Sequence, residues 1–318
     1  MTKADIIASK QVRQLKLQIP AAAGNLGPGL DTLGLALGLY CRLTFELLPE
    51  PNPEIPMVLY SGKGVRQSMP KQIDSLTYKL LNELWRDNRS LVDRMRIRVD
   101  SDIPLGSGLG GRTSAILGTL WADNIFNDRV PITSELLARM AELEGHSETF
   151  AASLIGGFVV SARNAGQKKV TTLQHEWPAD WSTIVAMPER RLSTTEARSV
   201  LPKSVPIYEA IFNLQRTALL VSAVVSRDEN AMKEALDDKI HESYRAEIIP
   251  EFPALKQALA NKPIIGCVLC GGGPSVLVIV NRRNKGAVME TLNAWAGSKS
   301  GASVLDLEVD RQGIREFD

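Results

Sequence analysis

The chain has 318 residues, 44% of them hydrophobic, a formal net charge of +1 and three cysteines. That is enough chain for one large or two ordinary domains, and the near-neutral charge gives no footprint for nucleic acid or an anionic membrane. No apolar run approaches the roughly 18 residues of a membrane span, and the start MTKADIIASKQVRQ lacks a signal-peptide core, so a cytoplasmic protein is expected.

Residues 1–14 read as a tail. LKLQIPA (15–21) alternates apolar and polar residues with period two, a strand signal, and LALGLYCRLTFELLP (35–49) reads as another strand. DSLTYKLLNELWRD (74–87) has helical spacing, with Asp74 or Ser75 as its N-cap. RMRIRVDSDIP (94–104) alternates again, as a strand with one wet face, and TSAILGTLWADNIF (113–126) follows as a buried helix. TSELLARMAELEG (133–145) is a further helix, capped by Thr133 or Ser134 and stopped by Gly145. SLIGGFVVSA (153–162) reads as a turn feeding a strand. The polar stretch 165–177, AGQKKVTTLQHEW, marks a domain boundary. Beyond it come a strand in STIVAMPE (182–189) and helices in 207–226 and 253–261. Further strands lie in IIGCVLC (264–270), SVLVIV (275–280) and ASVLDLEV (302–309). Strands and helices are interleaved without strict alternation, which favours two α+β domains over one doubly wound sheet.

Cys267 and Cys270 have CxxC spacing, but they sit in an apolar strand and no second pair exists, so they read as small buried hydrophobes. Three glycine-rich stretches are more informative: GNLGPGLD (24–31), IPLGSGLGGRTSA (103–115) and CGGGPS (270–275). In the middle one a strand ends at Ile103-Pro104, glycines crowd positions 106–111, and a helix begins near Thr113. Converging backbone N–H groups at a helix N-terminus favour an anion. The stretch is neither a Walker A loop nor a clean dinucleotide fingerprint.

The order of these stretches resembles the three motifs of the GHMP kinases, most closely in their homoserine-kinase branch. PAAAGNLGPGLDTLGLAL is similar to the first motif, PLGSGLGGRTSA stands where the family has its ATP loop, and CGGGPSVL resembles the third. EGHSETFAASLIGGFVVS looks like the branch's Glu-Gly-His-Pro-Asp-Asn segment, and STTEARSVLP and ESYRAEIIP resemble two substrate-holding segments. The resemblance implies an α+β fold of two domains. The first, residues 15–168, would bind ATP and carry a left-handed βαβ unit. The second, 169–318, would be ferredoxin-like. It further implies transfer of the ATP γ-phosphoryl group to the hydroxyl of L-homoserine for threonine synthesis, with Mg2+, and a possible homodimer.

By the same resemblance, Asn25 and Asp31 line the substrate site, Asp31 meeting the ammonium. Arg198 and Arg245 take the carboxylate, since a guanidinium offers a planar fork. Thr149, Thr194 and Gly272 complete the site, and Asn25, Arg198 and Arg112 are the candidates for the chemistry. Nucleotide contacts fall to Pro104, Gly106, Ser107, Gly108, Leu109, Gly110, Gly111, Arg112, Thr113 and Ser114. Two departures stand out. Gly111-Arg112 replaces the family's Ser-Ser, so Arg112 either clamps a phosphate or marks a damaged nucleotide site. Thr149 replaces an asparagine that touches substrate. Alignment makes Glu142 the metal ligand, whereas a helical wheel turns Glu144 inward. His146 reads as a structural residue, and no general base is assigned.

Overall fold

The computed structural model describes residues 14–318 apart from 56, 65–74, 165, 167 and 168. Among these residues, two sheets organise the chain. The first has seven strands: β1 (Gln14–Gly24), β2 (Leu33–Leu47), β3 (Val58–Ser61), β4 (Met95–Ser101), β5 (Phe158–Asn164), β6 (Lys169–His175) and β11 (Arg315–Glu316). Its main path runs β11-β1-β2-β4-β3, with β5 on β2 and β6 on β5. β3 and β4 pair in parallel, joined through helices α1 (Leu76–Leu84) and α2 (Arg89–Arg94); the other pairings are antiparallel. The β1–β2 register slips at Pro20/Ala21, a bulge where proline's missing N–H costs no ladder bond.

The second sheet has four antiparallel strands, β7 (Trp181–Met187), β8 (Ile264–Leu269), β9 (Val276–Asn281) and β10 (Ser303–Leu307), in the order β10-β7-β9-β8. Taken in chain order, that is the fourth, first, third and second strand, the ferredoxin-like arrangement. Its core sets Ile184, Val276, Val278 and Val280 against Phe252 and Leu255 of α10 (Glu251–Leu259) and Val288 and Leu292 of α11 (Lys285–Gly297). All three cysteines are buried and unpaired, and burial pushes the Cys41 and Cys267 thiols up to about 12 and Cys270 higher still. They behave as the small hydrophobes the sequence suggests.

Two expectations need correction. β6, within the stretch 165–177, belongs to the first sheet, as does the late strand β11, so the boundary expected at 168/169 separates two paired strands, β5 and β6. Residues 148–155 form a helix, α5, that the sequence reading did not assign; it runs into the start of SLIGGFVVSA, whose Gly156 and Gly157 then make the expected turn into β5. Neither Thr133 nor Ser134 caps α4 (Thr133–Glu144). Its cap position is Ile132, without a side-chain hydrogen bond, although Gly145 ends it in the left-handed conformation as expected. Ser75 caps α1 through Tyr78 N–H, while Asp74 and the tail up to residue 13 lie outside the described residues.

Candidate active site

The three glycine-rich stretches converge on one cleft of about 850 Å³ between the sheets. The first leaves β1 in a turn where Asn25, Leu26 and Asp31 all adopt positive φ (72°, 50° and 55°). Asparagine and aspartate tolerate that region, leucine does not, and such strain persists only where the surroundings over-determine it. Here they do: buried Asn25 accepts Asp31 N–H on Oδ1 (3.0 Å) and donates from Nδ2 to the Gly271 carbonyl (2.7 Å). One amide thus pins the first turn to the third.

The second stretch enters α3 (Gly111–Phe126), whose N-cap Gly110 is left-handed and offers no side-chain cap. The first amides of α3 therefore remain open for an anion. Backbone bonds stitch this loop to its neighbours: Ala22 N–H to Leu109 O, Ser275 N–H to Ser107 O and Leu192 N–H to Gly106 O. Gly108 must be glycine, because a Cβ there would lie 2.2 Å from the Cys270 carbonyl oxygen at a φ of +82°. Gly106, Ser107, Gly108, Gly110, Gly111, Arg112 and Thr113 line the cleft. Pro104, Leu109 and Ser114 do not, and the Ser114 hydroxyl donates to Gly110 O.

The expected substrate residues also meet there: Asn25, Asp31, Thr149, Thr194, Arg198, Arg245 and Gly272 all line the cleft. Thr194 and Arg198 lie on the short helix α6 (Thr194–Ser199), which a capping box between Ser193 and Glu196 starts. Arg198 Nη2 contacts Asp31 Oδ1 at 2.7 Å, with both side chains partly exposed. Arg245 lies on the short helix α9 (Glu242–Ala246). It is 2% exposed and donates to the carbonyls of Ala197 and Gly271 and to His241 Nδ1. Since arginine only donates, His241 Nδ1 must accept, and Nε2–H points to the Gly27 carbonyl at 2.6 Å.

Of the two candidate metal ligands, Glu142 is exposed and absent from the cleft lining, whereas Glu144 lines it. Glu144 receives Arg112 Nε on both carboxylate oxygens, at 3.0 and 3.2 Å. Sequence reasoning passed over two cleft residues, Glu148 and the functional placement of His146. Glu148 is 2% exposed and its Oε1 accepts the Thr149 hydroxyl at 2.8 Å. Both pack against Gly24, where a Cβ would meet Thr149 Oγ1 at 2.4 Å and Glu148 Oε1 at 2.7 Å. Glu148 Oε2 faces His146 Nδ1 at 3.4 Å. Burial disfavours charge on both, but their mutual attraction outweighs it: the His146 pKa is raised and that of Glu148 lowered.

Residues 75–157 match the family profile described as GHMP kinases N terminal domain, and residues 220–297 that described as GHMP kinases C terminal. The chain is 31% identical to the homoserine kinase of Prochlorococcus marinus strain MIT 9301 over 301 residues, 93% of this chain and 94% of that one. It is 32% identical to the homoserine kinase of Synechocystis over 298 residues, covering 93% and 96%. The crystal structure of homoserine kinase from Cytophaga hutchinsonii matches with a TM-score of 0.80 at 23% identity, over 97% of this chain and 98% of that one.

Proposed function

Since the chain belongs to the GHMP kinases, small-molecule kinases by family, we propose that its reaction is transfer of the ATP γ-phosphoryl group to the hydroxyl of L-homoserine. The product would be O-phospho-L-homoserine, made in the cytoplasm for threonine synthesis by what the resemblance implies is a homodimer. One observation carries this reading: a carboxylate and two arginines, Asp31, Arg198 and Arg245, share a cleft with the uncapped N-terminus of α3. A zwitterionic amino acid and a phosphate chain have complementary charges to those two ends.

Asp31 takes the substrate ammonium, exchanging its contact with Arg198, while Arg198 and buried Arg245 take the carboxylate and Thr194 adds a hydroxyl. Asn25 acts through the turn it pins. The hydroxyl end then points past Thr149, whose Cγ2 lies 3.3 Å from where a Cβ on Gly110 would be, at the edge of the phosphate loop. The residues fit ATP and Mg2+. The open amides of α3 suit phosphate oxygens, and the cleft carboxylate held by Arg112 of that helix, Glu144, suits an ion that otherwise binds phosphates and water. Bound Mg2+ would supply charge neutralisation on the transferring phosphoryl group. The chain's own contribution is positioning, a backbone cradle and the exclusion of water. Arg112 holds Glu144 through Nε alone, which leaves both Nη groups to meet a phosphate.

A second reading, a kinase for another small hydroxylated acceptor, is favoured by Thr149. Its hydroxyl is committed to Glu148, so it offers no amide to the substrate. ADP release measured against a panel of hydroxy amino acids and sugars separates the two. Homoserine-dependent release supports the first, release with another acceptor the second, and none with any acceptor sinks both. With homoserine, Arg198→Ala should raise KM by about tenfold to a hundredfold with ATP binding unchanged, the loss of one charge-assisted contact. Calorimetric ATP-Mg2+ titration tests the loop: Arg112→Ala should weaken nucleotide binding, whereas Gly111→Ser with Arg112→Ser should preserve it. Silence of Arg112→Ala would remove that residue from the nucleotide site.

A further inference from the structure

We propose that Asp31, His146 and Glu148 form a binding site for a borderline transition-metal dication such as Zn2+, and that an ion held there excludes the amino-acid substrate. One donor atom from each residue lies within 4.8 Å of the others. A histidine and two carboxylates near one another do not by themselves make a site. What distinguishes this group is that His146 Nδ1 and Glu148 Oε2 are both shielded from solvent and neither has a hydrogen-bond partner among the described residues. Glu148 is 2% exposed and lines the cleft. Each has only the other, across 3.4 Å and without a hydrogen bond, and two buried polar atoms left so are costly unless something sits between them.

Their separation says what fits. At 3.4 Å they stand too far apart for a good hydrogen bond. Two donors bound to zinc at about 2.0–2.2 Å and at the tetrahedral angle lie about 3.4 Å apart. Asp31 is the third donor. Arg198 engages its Oδ1, which leaves Oδ2 for the ion, and the fourth position falls to water in the open cleft. The imidazole selects against Mg2+, which prefers an octahedron of oxygens. The two carboxylates match the charge of the dication, and the half-exposed Arg198 is partly screened by solvent. The buried cysteines, with thiols pushed up, do not compete for it.

That an ion would exclude substrate rests on the reading of Asp31 as the ammonium partner; the site itself does not. The test is a Co2+ titration of the full chain followed by visible absorption. One equivalent should give the d–d bands of a four-coordinate ion, Zn2+ should displace it, and excess L-homoserine should weaken Co2+ binding. Glu148→Gln and His146→Gln should each weaken Co2+ binding at least about a hundredfold, and Glu144→Gln by no more than about twofold. Circular dichroism identifies any variant that fails to fold, and the folded one then decides. Absence of four-coordinate bands, bands carrying thiolate charge transfer, or wild-type binding by a folded Glu148→Gln or His146→Gln protein overturns the site. Binding that homoserine does not weaken overturns the exclusion. Because absorption needs no turnover, a negative result leaves the kinase reading standing.

Discussion

The protein buries two histidine–glutamate combinations near one cleft, and they sit in opposite charge states. His146 and Glu148 both shift toward their charged forms. His241 and Glu242 shift toward their neutral forms: burial, helped by Arg245, takes His241 down to about 4, and burial takes Glu242 up to about 7 against the attraction of Lys256. Burial is severe in both cases, so it does not explain the difference. Direction does. His146 and Glu148 face each other across 3.4 Å, whereas His241 and Glu242, though adjacent in sequence, point apart. The imidazole spans the Gly27 carbonyl and the Arg245 guanidinium, while Glu242 takes Leu269 N–H and Lys256 on the other side. The first combination places charge in the cleft. The second holds Arg245 rigid without adding charge beside it.

The largest expected effect comes from removing what keeps the second histidine neutral. Arg245→Ala leaves the buried Ala197 carbonyl and His241 Nδ1 without their donor, while the Gly271 carbonyl keeps Asn25 Nδ2, and should cost about 3 kcal/mol of stability. The His241 pKa should rise, because a guanidinium no longer opposes the imidazolium. Denaturant melts and NMR titration read the two effects separately. A stable Arg245→Ala protein with an unmoved His241 would mean that burial alone sets that histidine.

Glu148→Gln attacks the first combination and should cost less, about 2 kcal/mol, since the amide keeps the contact with the Thr149 hydroxyl. With the carboxylate gone, desolvation dominates at His146, whose pKa should fall below that of the wild type. The chain has only three histidines, so the titrating resonance is readily assigned. A His146 that titrates as before would remove Glu148 as the source of its shift.

How much of this was legible depended on distance along the chain. The long helix Ile207–Ser226 matches its sequence reading at both ends, because twenty residues of helical spacing leave little ambiguity. The three glycine-rich loops were legible as an anion site, since glycine clusters at strand–helix junctions carry a local reason. α5 was missed because seven of its eight residues are buried, so it shows no polar face to set a period. β6 was missed because a strand with one exposed face, two threonines, a lysine and a glutamine reads as polar loop. Glu144, not Glu142, reaches the cleft, as the helical wheel argued against the alignment. Glu148 gave no signal of its own. Its importance lies in contact with Gly24, 124 residues earlier, and with a histidine that by itself reads as structural. His241 is the same case, since its partner Gly27 is 214 residues away.

The smallest effect is a pH dependence hidden by cancellation. Between about pH 4.5 and 6.5, unfolded His241 binds a proton that folded His241, at about 4, does not; stability should rise with pH through that window. Glu242 works oppositely. Folded, at about 7, it keeps a proton that the unfolded carboxyl, at 4.5, has lost, so its contribution falls as pH rises through the same window. The first combination acts elsewhere. A raised His146 contributes stability that is lost only as pH climbs above 6.5, and a lowered Glu148 contributes stability that is lost only as pH drops below 4.5. The wild type should therefore be nearly flat between pH 4.5 and 6.5. Glu242→Gln removes one of the two opposing slopes and keeps an acceptor for Leu269 N–H, so its stability should rise across the window by about 2 kcal/mol, at most 1.4 kcal/mol per pH unit. Chemical denaturation at four or five pH values measures this directly. A Glu242→Gln profile as flat as the wild type's would show that His241 and Glu242 do not oppose each other, and the contrast between the two combinations would reduce to the ion pair at His146.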